Sequence, residues 1–241
     1  MKNKNWKESK IIKNKSDRYT VNPSYGIGSY LLSRLVIEEL SVFFKKDIIP
    51  KKVLDVGCGF MPHYIFLKDK LEFRDYIGVD WGNSPHKDDN VDFYINLNEP
   101  LTLEGKYDLI LLMDVIEHLQ DVNVALKSLK SNLAKEGSMY ITVPFFYWIH
   151  EAPFDFNRYT IFQLKNLLEN NGFKIEEYKI VGGFGTSLID LLSKNVFRPL
   201  KLNSLLTRNL LYFANNIFEI LGLNKNKEAY PIEYVIRVRH I

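Results

Sequence analysis

Hydrophobic positions fall into helical stripes and short strand-like runs that take turns along the chain. Leu31, Leu35, Ile37, Leu40, Phe43 and Phe44 give a broad apolar stripe and predict a helix over about 30–45. Val53, Leu54 and Val56 predict a strand covered on both faces, as parallel strands usually are. A short helix is expected over 63–70, then strands over 76–79 and 91–95. Residues 107–114 hold the apolar run Leu109 to Met113 and read as a fourth strand. Val122, Ala125, Leu126, Leu129 and Leu133 recur at helical spacing, and Lys135-Glu136-Gly137 reads as the stop of that helix. A fifth strand is expected over 138–143, a helix over 160–168 stopped by Asn170-Asn171-Gly172, and a sixth strand over 173–181. Gly182-Gly183-Phe184-Gly185 reads as a flexible turn, 188–223 as two helices split near Pro199, and 234–238 as a last strand. Leu205, Leu206, Leu210, Phe213, Ile217, Phe218 and Leu221 line one side of the second of these helices, with Arg208 and Asn215 elsewhere. Three uses of that side compete: packing on the domain, dimerisation, or docking to a membrane that holds a lipid-linked substrate.

Composition narrows the class. The 241 residues suit one large domain, and a 46% apolar share suits a sizeable core. The net charge of +3 is too small to argue for nucleic acid. A lone cysteine, Cys58, excludes an internal disulfide framework and fits a reducing cytoplasm. No stretch reaches the ~18 uninterrupted apolar residues of a spanning helix, and no apolar run follows the basic first residues as a signal peptide requires. The expectation is a soluble cytoplasmic protein with surface association open. Residues 1–18 form a basic arm, and 19–241 are taken as one domain with a helical insertion at about 186–224.

The chemistry centres on the strand that ends Val53-Leu54-Asp55-Val56-Gly57-Cys58-Gly59-Phe60. Gly57 and Gly59 let the backbone turn sharply and lie close to a ligand. Asp55 is an acid in an apolar strand, costly unless paired or useful. Asp80 ends the second strand about 20 residues later, where a carboxylate can accept hydrogen bonds from both hydroxyls of a ribose. The third glycine of the dinucleotide fingerprint is absent, since Phe60, Met61 and Pro62 follow Gly59. That counts against a pyrophosphate-bearing cofactor.

This block resembles motif I of the class I S-adenosylmethionine-dependent methyltransferases, especially the type-11-like group. Tyr107 to Asp114 and the following Val115-Ile116-Glu117-His118-Leu119 resemble that group's fourth strand and its "EHL" signature. The resemblance covers Val53 to about Val181. It implies a doubly wound α/β fold with seven strands, the last antiparallel, and S-adenosyl-L-methionine at the carboxyl edge of the sheet. The cofactor side is then expected to comprise Asp55, Gly57, Cys58, Gly59, Asp80, Trp81, Asn96, Met113, Asp114 and His118. Asn96 stands where the family often has an aspartate to the adenine amino group, and its amide oxygen can accept the same bond. Asp114 reads equally well as the cap of the next helix.

Residues 144–160 follow the fifth strand and resemble an "H-E-x-P-x-D-F-x-R-Y-T" segment of a subgroup of these methyltransferases, many from surface-polysaccharide or lipid-modifying gene neighbourhoods. An aromatic wall with a few convergent polar groups suits an acceptor pocket. Trp148, His150, Glu151, Asp155, Arg158 and Tyr159 are the candidates, with Tyr25 of a lid before motif I. An Asp155–Arg158 pair that only shapes the loop competes with that role. His150 is the first candidate base and His118 the second, with Glu117 either assisting or bracing its loop. His150 beside Glu151 makes no metal site by spacing, because no second histidine stands at helical distance. The implied reaction is direct displacement of the methyl by a small-molecule, saccharide or lipid-linked acceptor. A homodimer and a membrane-surface contact both remain open through the helical insertion. The competing readings are a nicotinamide-dependent oxidoreductase and a non-catalytic nucleoside-binding protein.

Overall fold

The apolar runs become the strands of one seven-stranded sheet, in the order β3-β2-β1-β4-β5-β7-β6. The computed structural model describes residues 27–44, 50–59, 64–71, 73–84, 91–101, 103–202 and 204–241. The elements are α1 (Ile27–Phe44), β1 (Lys52–Val56), α2 (Tyr64–Lys70), β2 (Asp75–Asp80), β3 (Phe93–Tyr94) and β4 (Tyr107–Met113). They continue with α3 (Val122–Asn132), β5 (Leu133–Pro144), α4 (Ile161–Asn170) and β6 (Phe173–Val181). Last come α5 (Phe184–Leu192), α6 (Leu205–Ile220) and β7 (Glu233–His240). β1 to β5 pair in parallel, while β7 runs antiparallel to both β5 and β6. The fold expected from the resemblance is therefore the one observed. Tyr25, Gly26 and the basic arm lie outside the described residues.

Strand alternation sorts the core into two layers. Leu54, Val56, Ile110 and Leu112 pack on one face with Leu126 and Leu129 of α3 and Leu164 and Leu168 of α4. Val53, Leu109, Leu111 and Met113 point to the other face, with Leu40 and Phe43 of α1 and Leu67 of α2. Asp108 anchors the far edge, where its Oδ2 accepts from the amides of Lys51 and Lys52, both at 2.9 Å. After β1 the chain winds outward to β2 and β3, then crosses back to β4 on β1's other side. Ligands bind above the carboxyl ends of the strands at such a switch point.

Three local expectations change, and α6 has a polar inner side. β3 shrinks to two residues. Lys135-Glu136-Gly137 does not end α3: the helix stops at Asn132, and these residues lie within β5, where the pairing slips between Tyr107 and Leu109. A Cβ on Gly137 would sit 2.9 Å from the Tyr107 carbonyl oxygen, so this glycine permits a close strand approach rather than a helix stop. Gly185 is no turn residue but lies inside α5. For α6, whose apolar side was left open between packing, dimerisation and membrane docking, the polar side turns inward. Arg208 and Asn215 are buried at 1% exposure, while Leu206 at 68% and Ile220 at 84% face solvent. Its inner face is polar because its neighbours are. Asn215 accepts from the Thr186 hydroxyl at 2.6 Å, and Tyr212 donates to Glu38 at 2.9 Å.

Candidate active site

The glycine turn after β1 forms as expected. Gly57 and Gly59 have φ of 69° and 47°, in the left-handed region. A Cβ on Gly57 would lie 2.4 Å from Val115 Cγ2, so this turn closes against the loop after β4 only with glycine. The Gly57 and Cys58 amides bond the Val79 carbonyl, which ties the turn to β2. At the tip of β2, Asp80 accepts from the amides of Gly59 at 3.0 Å and Trp81 at 2.7 Å.

These residues edge a cleft of about 320 Å³. Gly57, Gly59, Asp80, Trp81, Asn96, Asp114, His118 and Glu151 line it, so most of the expected cofactor side is brought together. Ile95, Leu97 and Leu119 give it an apolar end, and Phe154 closes on Trp81 with ring centroids 5.0 Å apart. Asn96 is more committed than expected: its Oδ1 accepts from the Asn98 amide and its Nδ2 donates to Glu99. Three expected residues do not line the cleft. Cys58 and Met113 are buried in the α1–α2 layer, and Asp55 accepts a short hydrogen bond from the Tyr76 hydroxyl behind the turn. Alternation explains it, since Asp55 and Met113 point to the layer opposite Leu54 and Leu112.

Beyond the cleft lies a knot of ionisable groups. Asp114, at φ 54°, caps no helix, since the 3₁₀ turn Ile116–His118 begins at Val115 without a side-chain cap. Asp114 instead accepts from the Thr142 hydroxyl at 2.6 Å, and Glu233 of β7 is a neighbouring acid. Burial pushes Glu233 well above the usual range, with Asp114 adding to it. Glu117 is wholly buried, neither carboxylate oxygen has a hydrogen-bond partner, and burial followed by Asp114 drives it well above its ordinary value. His118 Nε2 stands 3.7 Å and His150 Nε2 3.9 Å from Glu117 Oε1. The two imidazoles meet edge to face at 4.8 Å. Burial lowers the His150 pKa, and His118 adds to that, against an opposing pull from Asp155.

The loop after β5 carries the rest. Arg158 donates to both Asp155 oxygens, one at 2.7 Å, and to the carbonyls of Trp148 and Asn157. Burial alone would raise Asp155, but Arg158 and the His150 amide outweigh it and hold its carboxyl at about 2. The pair therefore shapes the loop and holds His150, and neither member lines the cleft. Tyr159 is core, packed in the α3–α4 layer, rather than pocket. Trp148 stays partly exposed, and the cations of Lys194 and Arg198 stand 5.3 and 5.4 Å from its ring.

Several members of this site carried no clear sequence signal. Thr142 reaches it because β5 pairs with β4 at Met113, and Glu233 only because β7 returns beside β5. Lys194 is buried against Asp190 at 2.6 Å, and its ammonium sits 3.4 Å from the Tyr147 ring, beside His150. It stands on a π-helical turn, Ser193–Phe197, a local distortion often found at functional sites.

A family model described as a methyltransferase domain matches residues 29–178. No curated protein matches the chain. Among solved structures, the chain is similar to the O-methyltransferase of a trans-AT PKS multienzyme of Brevibacillus brevis, held with S-adenosyl-L-homocysteine. That match has 18% identity and a TM-score of 0.56, over 97% of this chain and 82% of that one. An S-adenosylmethionine-dependent methyltransferase from Mesorhizobium loti matches at 12% identity and TM-score 0.55, over 87% of this chain and 100% of that one. The [4+2]-cyclase SpnF matches at 13% identity and TM-score 0.52, over 84% of this chain and 81% of that one, so the fold alone does not fix the reaction. With the matched domain covering well over half of its length, the chain belongs to the class I S-adenosylmethionine-dependent methyltransferases.

Proposed function

We propose that the chain moves a methyl group to an oxygen of a small-molecule, saccharide or lipid-linked acceptor by direct displacement. One arrangement carries this reading: a nucleoside-sized cleft edged by Asp80 adjoins the Glu117–His118–His150 cluster, with His118 common to both. The residues present fit S-adenosylmethionine. Asp80 would hold the ribose hydroxyls, the Gly57–Gly59 turn would face the amino-acid part, and Ile95, Leu97 and Leu119 would flank the purine. When bound, that cofactor supplies a sulfonium methyl, a group that needs little activation.

The chain's own work is then to orient the partners, exclude water and take the acceptor's proton. Positioning alone is worth roughly 7–11 kcal/mol. Drawing off the proton of a hydroxyl adds about 10²–10⁴-fold, and the cluster around His150 and His118 is where that proton would go. The small net charge gives no support to a nucleic-acid acceptor. The outward apolar face of α6, with Leu206, Leu210 and Phe213 exposed, is a surface for a lipid-linked acceptor or a second copy. Among the described residues no helix is long and apolar enough to cross a membrane.

The test is a division of labour. A turnover screen against nucleotide sugars, lipid-linked saccharides and quinone precursors first finds an acceptor. His150→Ala should then cut turnover about 100-fold or more and leave S-adenosylhomocysteine affinity within about twofold. Asp80→Ala should weaken that affinity about tenfold or more and change saturated turnover little. Equal losses in both quantities from either substitution contradict the assignment.

A further inference from the structure

We propose that Glu117, His118 and His150 bind a divalent first-row transition ion on the acceptor side of the cleft. One donor atom from each residue lies within 4.8 Å of the others. The role of such an ion rests on the methyl-transfer reading above, whereas its binding site does not.

The case begins with Glu117. Its carboxylate is 0% exposed and neither oxygen has a hydrogen-bond donor. A buried carboxylate left this way is costly and needs either a proton or a cation. The imidazoles around it decide what faces it. His118 Nδ1 lies 2.8 Å from the Phe154 carbonyl oxygen, which can only accept, so Nδ1 carries the hydrogen. In the neutral ring this leaves a lone pair on Nε2, the atom 3.7 Å from Glu117. A lone pair and a carboxylate repel unless something positive stands between them. His150 repeats the pattern: Nε2 faces Glu117, while Nδ1 lies 3.2 Å from Asp155 Oδ2, at ion-pair distance but off the hydrogen-bond line. A carbonyl or carboxylate behind the ring is the usual support of a metal-ligating histidine.

Size and charge agree. Bonds of about 2.1 Å around a tetrahedral ion put donors roughly 3.4 Å apart, so the 3.7 and 3.9 Å from Glu117 need a small inward shift, and the whole set, spread within 4.8 Å, must draw together around the ion. Arg158 is already compensated by Asp155 and two carbonyls. Two imidazole nitrogens and one carboxylate suit zinc, iron, cobalt or manganese, whereas magnesium and calcium favour all-oxygen sets. Three protein ligands leave positions open. His118 lines the cleft, so an acceptor oxygen could fill one, and the ion would lower its pKa. His118 and His150 then serve as ligands, and the ion does the acidifying that a lone imidazole would otherwise do.

Spacing in a sequence reveals a metal-binding pair only when two histidines share one helix. Here they come from separate loops, after β4 and after β5, and meet only in the folded chain.

The test uses the untagged full chain, stripped with a chelator and titrated with Co²⁺ while visible absorption is followed. One Co²⁺ per chain should bind with ligand-field bands that Zn²⁺ abolishes. Glu117→Gln, nearly the same shape, and His150→Ala should each weaken Co²⁺ binding at least tenfold, with folding checked by circular dichroism. S-adenosylhomocysteine affinity, titrated on the same samples, should not change. Absence of Co²⁺ binding, or binding that survives both substitutions, overturns the metal site and leaves the methyl-transfer reading standing. Failure of the wild type to bind S-adenosylhomocysteine overturns that reading and leaves the Co²⁺ result to be judged alone.

Discussion

Gly57 has no room for a methyl group. Its φ of 69° strains any L side chain, and a Cβ would press on Val115 Cγ2. Gly57→Ala should cost about 2–3 kcal/mol in urea unfolding, from strain and overpacking together. Adding Val115→Ala should restore part of that loss by removing the clash but not the strain; no recovery would argue against the contact. Tyr107 gives a pH prediction. Burial, then Asp92, raises its hydroxyl from 10.0 to about 12. The folded chain holds this proton longer than the unfolded chain, so the stabilisation is complete below pH 10 and is lost as pH rises through 12. Between those values the wild type should lose stability more steeply than Tyr107→Phe, by about 1.4 kcal/mol per pH unit. Parallel unfolding curves would contradict it. At this scale, what sequence could read depended on locality. Asp80 was legible because its distance from the glycine turn follows from one strand–helix–strand unit. Asp55 and Met113 were misplaced because their face follows from register, and the isolation of Glu117 depends on β7 and the loop after β5.

The elements were legible where hydrophobic period and a stop signal agreed, as in α4 with its Thr160 cap and Gly172 beyond its end. They were less so where a neighbour's chemistry decided the outcome. The apolar stripe of α6 left packing, dimerisation and membrane docking open; α1 offers Arg34 and Glu38 and α5 offers Thr186, so the polar face turned inward. Asn215→Ala should cost about 1–3 kcal/mol, because it strands the Thr186 hydroxyl. Phe213→Ser on the outer face should stay within about 0.5 kcal/mol by the same unfolding measurement. Reversed magnitudes would show α6 packed the other way round. Lys135-Glu136-Gly137 misled for a related reason: the glycine that resembles a helix stop serves a strand approach instead.

The whole molecule places its chemistry at one edge. β1 and β4 part at the switch point, the glycine turn and Asp80 rise on one side of it, and Asp114 and the 3₁₀ turn with His118 rise on the other. β7 then delivers Glu233 from the far half of the sheet. That convergence of distant segments is why the glycine turn and Asp80 could be placed from the sequence while Glu233 and Thr142 could not. The account stands on the nucleoside being held at Asp80. Calorimetric titration of S-adenosylhomocysteine into the pure chain tests it most directly. It should bind one molecule per chain, about tenfold or more weaker in Asp80→Ala, with the variant shown to be folded by its ligand-free melting curve. No binding by the wild type, or equal affinity in the variant, would contradict it.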